Sequence, residues 1–280
     1  MIGKKLILCL VLMLGASAYA TGFIGPPMAE IEAGRWDVGF EFSSSNEDLD
    51  TLSLSGTQSD RYDESGQAYS ASASLTGLKT TQYAGVVSYG LSNDWQVSAK
   101  LGMAAIKAQT DSTINGSEPL DFGTNLVYGI GTKFNYYKIE DTVWGISVQW
   151  NLLSGDCSRR ETGTTTHDSN DYDFTELISY EIDAYDLILA IGPTLDMGGI
   201  RAYGGLYYHQ FSGDYSENRY NQDAYPYWTR TDVSGNLEAS SSIGLFLGGQ
   251  LLFVGDTNLK VELAISQDSF GFAIGGGYTF

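Results

Sequence analysis

From Trp36 to the last residue, apolar and polar side chains alternate with a period of two through segment after segment. Only extended backbone turns that spacing into two distinct faces, so the chain is read as all-β. The first segment sets Trp36, Val38, Phe40 and Phe42 against Asp37, Gly39, Glu41 and Ser43. Tyr83, Val87, Tyr89 and Leu91 lead into a turn at Ser92-Asn93-Asp94. The chain returns as Trp95, Val97, Ala99, Leu101 and Met103, with Gln82, Ser88, Gln96, Ser98 and Lys100 on the other face. A second hairpin runs through Leu126, Tyr128, Ile130, Phe134 and Tyr136, turns at 139–141, and returns as Trp144, Ile146, Val148, Trp150 and Leu152. A third turns at Met197-Gly198-Gly199 and a fourth at Gly255-Asp256. The spacing predicts about ten strands, each near the ~9–11 residues that a tilted strand needs to cross a bilayer.

The connections sharpen this reading. Tight turns near 92–94, 139–141, 197–199 and 255–257 alternate with long segments at 44–79, 104–121, 153–177 and 212–236. Short turns at one end and long loops at the other are the layout of a closed antiparallel up-and-down transmembrane β-barrel. A soluble sandwich has no need to gather every long loop at one end. Within 44–79, Leu52-Ser-Leu54 and Ala71 to Leu75 hold a further hairpin in reserve, which raises the count to twelve strands.

The beginning of the chain gives the compartment. Lys4-Lys5, the apolar run Leu6 to Leu14 and the small residues ending Ala18-Tyr19-Ala20 read as a secretory leader over 1–20. That run is too short for a spanning helix, which takes ~20 residues. Residues 21–33, with Gly25-Pro26-Pro27, are expected to form a periplasmic stub or a lumenal tail, and 34–280 the barrel. Removal of the leader leaves Cys157 as the one cysteine, so no internal disulfide holds the fold. A net charge of −19 and a pI near 4.2 exclude nucleic acid as a partner. Trp36, Trp95, Trp144, Tyr83, Tyr136 and Phe280 fall near strand ends, where amphipathic rings form interfacial girdles.

The last strand, Phe270-Gly-Phe-Ala-Ile-Gly-Gly-Gly-Tyr-Thr-Phe280, carries a resemblance. With the leader and the strand pattern of 34–280, the chain resembles bacterial outer-membrane β-barrel proteins, in the porin-like class without an assigned subfamily. The resemblance implies outer-membrane lipid as the surroundings. It also implies the barrel-assembly machinery as a partner during biogenesis, with Phe270, Phe272, Tyr278 and Phe280 as the assembly signal. No cofactor is implied. Some members of that class are enzymes. The omptin proteases place an aspartate two residues before the catalytic histidine, whereas Thr165 and Tyr207 stand there before His167 and His209. The phospholipases and deacylases of the class use His–Ser pairs. His209 lies near Ser212, but no spacing supplies an orienting acid, so neither catalytic residues nor metal ligands are assigned.

The face opposite the apolar one should line the lumen. Asp37, Glu41, Lys100, Lys133, Asp186, Arg201, Glu238, Lys260 and Glu262 are its charged members, forming either a paired network that plugs the barrel or the lining of a pore. Ten strands sit near the diameter that side chains fill. The long segments 44–79 and 153–177 are acidic and read as solvated loops. Residues 214–236 differ, because Tyr215, Tyr220, Tyr225, Tyr227 and Trp228 interleave with Arg219 and Arg230, the residue types of recognition surfaces. Two functions follow: a structural or surface-recognition barrel that meets an extracellular ligand or protein, and a narrow cation-favouring channel for ions or small solutes.

Overall fold

The computed structural model describes residues 23–280 except 48, 50, 61–65, 113–115, 168–169, 224–227, 239–241 and 268. The leader 1–20 therefore lies outside the described residues. Twelve strands follow in order: β1 (Trp36–Glu47), β2 (Thr51–Asp60), β3 (Gln67–Ser92), β4 (Trp95–Ser112), β5 (Gly116–Ile139) and β6 (Thr142–His167), then β7 (Asn170–Asp196), β8 (Ile200–Asp223), β9 (Trp228–Glu238), β10 (Ser242–Phe253), β11 (Thr257–Ile265) and β12 (Ser269–Thr279). All pairings are antiparallel, and ten strands close a ring. β1 completes it by pairing with β12 on one side, from Asp37↔Thr279 to Glu47↔Ser269, and with β3 on the other, from Trp36↔Tyr89 to Glu47↔Leu78.

Around the ring the outward side chains are apolar and exposed, among them Phe40, Leu101, Ile130, Trp150, Leu189, Leu206 and Leu247. That belt buries no partner surface of its own. It is the face a bilayer covers, and closure leaves no unpaired backbone edge inside it. Trp36, Trp95, Trp144 and Phe280 sit at the short-turn rim, as expected for a girdle.

β2 and β9 do not join the ring. β2 pairs with the first part of β3 and β9 with the last part of β8, and the two pair with each other from Ser55↔Ser234 to Asp60↔Thr229. They belong to an extension on the long-strand side, the side the sequence pattern assigns to the cell exterior. The reserve hairpin of 44–79 thus exists, but above the ring. Three of the long segments read as loops are strands as well: β6 and β7 pair without interruption from Thr142↔Leu195 to His167↔Asn170.

The two levels have opposite sidedness. On β6, Trp144, Ile146, Trp150 and Leu152 face out and Ser147, Gln149 and Asn151 face in; two residues later Leu153 is buried, and Ser154 and Asp156 are exposed. On β7 the inward row changes from Asp186 to Ala184, Ile182, Tyr180 and Ile178, while Asp183 and Glu181 replace Leu187 outside. The backbone keeps its alternation and the residue types exchange faces. β3 and β5 reach the same result with bulges, at Gly77 (φ 58°) and Gly123 (φ 70°), the left-handed conformation that glycine adopts without a Cβ penalty. Above the inversion, Leu52, Leu54, Leu75, Ile106, Phe122, Ile178, Tyr180, Ile182, Tyr215 and Leu237 fill the interior as one apolar core.

Hydrogen-bond closure also ends at that level. β5 and β6 pair only up to Val127↔Leu153, although both continue beyond it. The extension is a rolled sheet in the order β5-β4-β3-β2-β9-β8-β7-β6, with a split between β5 and β6.

Candidate functional site

The chain before β1 enters the ring from the short-turn rim and fills the lower lumen. Above the rim it has no strand partner among the described residues, so side chains of the wall satisfy its backbone there. At the rim the Gly34 amide donates to the Gly90 carbonyl at 2.9 Å, and the Ala33 amide to Asn93 Oδ1 at 3.1 Å. Higher up, the Glu30 amide donates to Gln96 Oε1 at 2.7 Å, and Asn135 holds both the amide and the carbonyl of Ala29. Lys133 donates to the Pro26 carbonyl at 2.7 Å and Gln149 to the Ile24 carbonyl at 2.9 Å. Glu262 is the innermost clamp: one carboxylate oxygen accepts the Ile24 amide at 2.9 Å and the other the Gly25 amide at 2.8 Å. Pro26 and Pro27 bring no N–H, which lowers the number of donors this segment must place. Ile24 then packs with Ile188, Ala190, Tyr203, Tyr207 and Phe246.

Charge is balanced between plug and wall. Glu30 lies 2.6 Å from Lys260 and 3.5 Å from Arg201, which also takes Asp196 at 3.1 Å. Burial opposes the charge on Glu30, yet Lys260, Lys133 and Arg201 hold its carboxyl below the ordinary carboxylate value. Lys100 pairs with Glu41 at 3.0 Å, and Asp37 accepts the Thr279 hydroxyl at 3.0 Å. A cavity of about 290 Å³ remains beside the plug, lined by Asp37, Glu41, Lys100, Lys133, Arg201 and Lys260 among others. Its size and polar walls suit a cluster on the order of ten waters.

Of the nine charged residues expected in the lumen, Asp37, Glu41, Lys100, Lys133, Arg201, Lys260 and Glu262 meet at the plug, and Asp186 sits higher. Glu238 lies elsewhere: it pairs with Ser212 at the end of β9, in the extension and not in the ring.

Asp186 belongs to a crossbar that sequence reasoning missed. His209 on β8 reaches Asp186 on β7 through Nε2 at 2.6 Å and Glu47 on β1 through Nδ1 at 3.2 Å. β1 and β8 are separated by β12, β11 and β10 on one side of the ring and five strands on the other, so this contact spans the lumen. Asn151 donates to the second Asp186 oxygen at 3.2 Å. The crossbar lies between the plug and the apolar core, with His209 only 2% exposed. Ser212 cannot serve His209 as a nucleophile, because three positions along a strand places it on the opposite face. Glu47 falls in the segment 44–79, which the sequence pattern reads as a solvated loop, and the structure turns it into the lumen instead. The parity of Ser43 and Glu47 with Glu41 was the available signal that it points inward.

The tyrosine-rich segment is the β8–β9 hairpin rather than a loop. Tyr215 is fully buried in the core, and Arg219 is drawn to Glu176 at 3.3 Å and Glu217 at 3.9 Å. Tyr220 is exposed, and Arg230 pairs with Asp232 at 2.6 Å on the surface. Tyr225 and Tyr227 lie outside the described residues; Trp228 pairs with Gln222 through its backbone. Of the assembly-signal residues, Phe270 and Phe272 lie on β12 beside Asn46 and Ser44 of β1, Tyr278 sits opposite Val38, and Phe280 exchanges backbone hydrogen bonds with Trp36.

No family model matches the chain, and no curated protein matches it. Solved structures do align over most of its length. The outer membrane protease OmpT of Escherichia coli is 8% identical, with TM-score 0.45 over 87% of this chain and 97% of that one. The outer membrane protein OprG of Pseudomonas aeruginosa is 12% identical, with TM-score 0.42 over 89% and 97%. The outer membrane protein AlkL is 17% identical, with TM-score 0.34 over 95% and 96%. With its closed ring and apolar belt, the chain has the architecture of an outer-membrane β-barrel.

Proposed function

We propose that the protein is a non-conducting barrel of the bacterial outer membrane that holds a stiff β-sheet above the membrane as a recognition surface. The observation that carries this reading is the apolar core of the extension, where Leu75, Ile106, Tyr215 and Leu237 are 0% exposed. A core packed to that degree fixes the shape of the sheet outside it. It also blocks the barrel axis above the plug. Ion flow along the axis would require both closures to move, so a cation channel is the weaker reading. The exterior of the extension is acidic, with Asp156, Glu181, Asp183 and Asp214 exposed on neighbouring strands, and it favours a cationic partner. No catalytic step is proposed.

Planar-bilayer recording of the refolded barrel tests the first half: silence is expected, and stable conductance steps overturn it. Cell-surface binding of a cationic peptide library tests the second. Glu181→Gln, Asp183→Asn and Asp214→Asn together should abolish selective capture, and unchanged capture ends the recognition reading.

A further inference from the structure

We propose that the edge of β6 from Ser158 to Thr164 is a docking site for an extended peptide of a partner protein. The peptide adds to the sheet as one more strand and sets a carboxylate opposite Arg160. Backbone accounting supplies the first argument. β6 pairs with β7 along its whole length, but with β5 only as far as Val127↔Leu153. Alternate residues of a strand direct their N–H and C=O to opposite sides, so half of these groups above Leu153 face away from β7. Among the described residues, Ser158, Arg160 and Thr162 have no hydrogen-bonded neighbour strand on that side. Cys157 closes the base of the split, where its thiol accepts the Asp121 amide, so the open edge begins at Ser158.

The two lips of the split differ, which is the second argument. β5 is blocked as a template: Pro119 has no N–H, and the bulge at Gly123 breaks the regular spacing. Its own side chains also occupy main-chain groups there. Asp121 Oδ1 accepts the Gly123 amide at 3.0 Å, and Asn125 Nδ2 donates to the Phe122 carbonyl at 2.7 Å. β6 carries none of these devices between Ser158 and Thr164. It has no proline and no residue at positive φ, and its register with β7 is unbroken from Ser158↔Ser179 to Thr164↔Asp173. A regular edge standing in water is a template for a further strand, and strand addition is an established mode of peptide recognition.

Charge chooses the occupant. Arg160 is exposed on the outward row of this edge, and among the described residues no carboxylate lies within ion-pair distance of it. Glu161 is taken by Arg159 at 2.9 Å. The outward neighbours of Arg160 along the strand are the hydroxyls of Ser158 and Thr162. An incoming strand with a carboxylate opposite Arg160 and threonines on either side of it meets all three with favourable cross-strand pairs. A second copy of this chain fits less well. In the same membrane it stands in the same orientation, so its β6 can add only in parallel, the less stable pairing, and each copy carries a net charge of −19. The inference uses the stiff sheet of the extension and is independent of the cationic partner proposed for its acidic face.

The probe is the capped peptide Thr-Val-Thr-Val-Glu-Val-Thr, titrated onto the refolded barrel in phosphatidylcholine nanodiscs. Binding should slow hydrogen exchange about tenfold at alternate amides of 158–164 and leave the amides bonded to β7 unchanged. Two further peptides carry N-methyl groups on one or the other set of alternate amides. The set that faces β6 should lose about tenfold in affinity, and the other should bind as the parent does. No binding of the parent peptide overturns the proposal, and equal binding of both methylated peptides overturns strand addition. Arg160→Glu, an exposed change that leaves the fold intact, should reverse the preference toward the peptide with lysine in place of glutamate. An unchanged preference ends the carboxylate assignment. Binding should persist in the triple variant Glu181→Gln, Asp183→Asn, Asp214→Asn, so the edge and the acidic face fail separately; loss of peptide binding there overturns the edge as a site of its own. If the peptide-free barrel is a dimer with the same amides already protected, the occupant is a second copy and the peptide assignment fails.

Discussion

Below the level of Val127 and Leu153 the chain forms a ring that is apolar outside and polar inside; above it the same strands form a sheet that is polar outside and apolar inside. β6, β7 and β8 pass through both regions without a break in alternation. Strand geometry therefore does not decide which face is buried. The solvent on each side does, and the sequence answers by exchanging residue types at one height. The lower region must satisfy every backbone group within the ring because lipid offers no partner. The upper region stands in water and tolerates a split between β5 and β6.

This contrast can be broken by putting the wrong residue on each face. Ile182→Asp places an unpaired carboxylate in the upper core and should cost about 3–5 kcal/mol there, the scale for a stranded buried charge. Proteases should then cut β6 and β7 above Leu153, while the ring keeps its heat-dependent gel mobility. Loss of the ring as well would mean that the two regions are one folding unit. Leu189→Arg on the belt should cost about 2–4 kcal/mol in denaturant titrations in lipid and little in the extension. If the cost is absent, the belt does not lie in hydrocarbon.

Glu262→Gln replaces one clamp oxygen with a donor that faces the Ile24 or Gly25 amide, and should cost about 1–3 kcal/mol. Faster proteolysis of segment 23–35 is the measurement. Conductance should stay absent, because the apolar core still closes the axis. The smallest effect is expected at Asp183→Asn. Asp183 and Asp214 are paired across β7 and β8, and like charges directly opposite are unfavourable. The variant should be more stable by about 0.2–1 kcal/mol at low salt. That gain should fade at 1 M salt, where screening acts within about 3 Å.

The ring was legible because its outward residues are large: Trp, Leu, Ile and Phe repeat at every second position. The extension carries the same period in smaller residues. In Tyr69-Ser-Ala-Ser-Ala-Ser-Leu75 the inward row is Tyr, Ala, Ala and Leu, a contrast against serine so weak that it marks a strand only in reserve, inside a segment read as a loop. Tyr215 looked like a contact residue by type, whereas its parity with Phe211 placed it in the core. The crossbar was out of reach for a different reason. Glu47, Asp186 and His209 are far apart in the chain, and only closure of the ring sets them face to face. The plug likewise depends on Gln96, Asn135 and Gln149, polar residues that any lumen face carries and that gain their role from one segment's backbone.

The parting of β5 from β6 serves as a depth gauge. Unpaired N–H and C=O groups are not tolerated in hydrocarbon, so Val127 and Leu153 mark the highest level lipid tails can reach on that side of the barrel. The gauge is written in backbone hydrogen bonds and owes nothing to the aromatic rings at the opposite rim. Girdle and gauge together fix the vertical position of the molecule from its two ends, so a bilayer of another thickness must adapt to the protein.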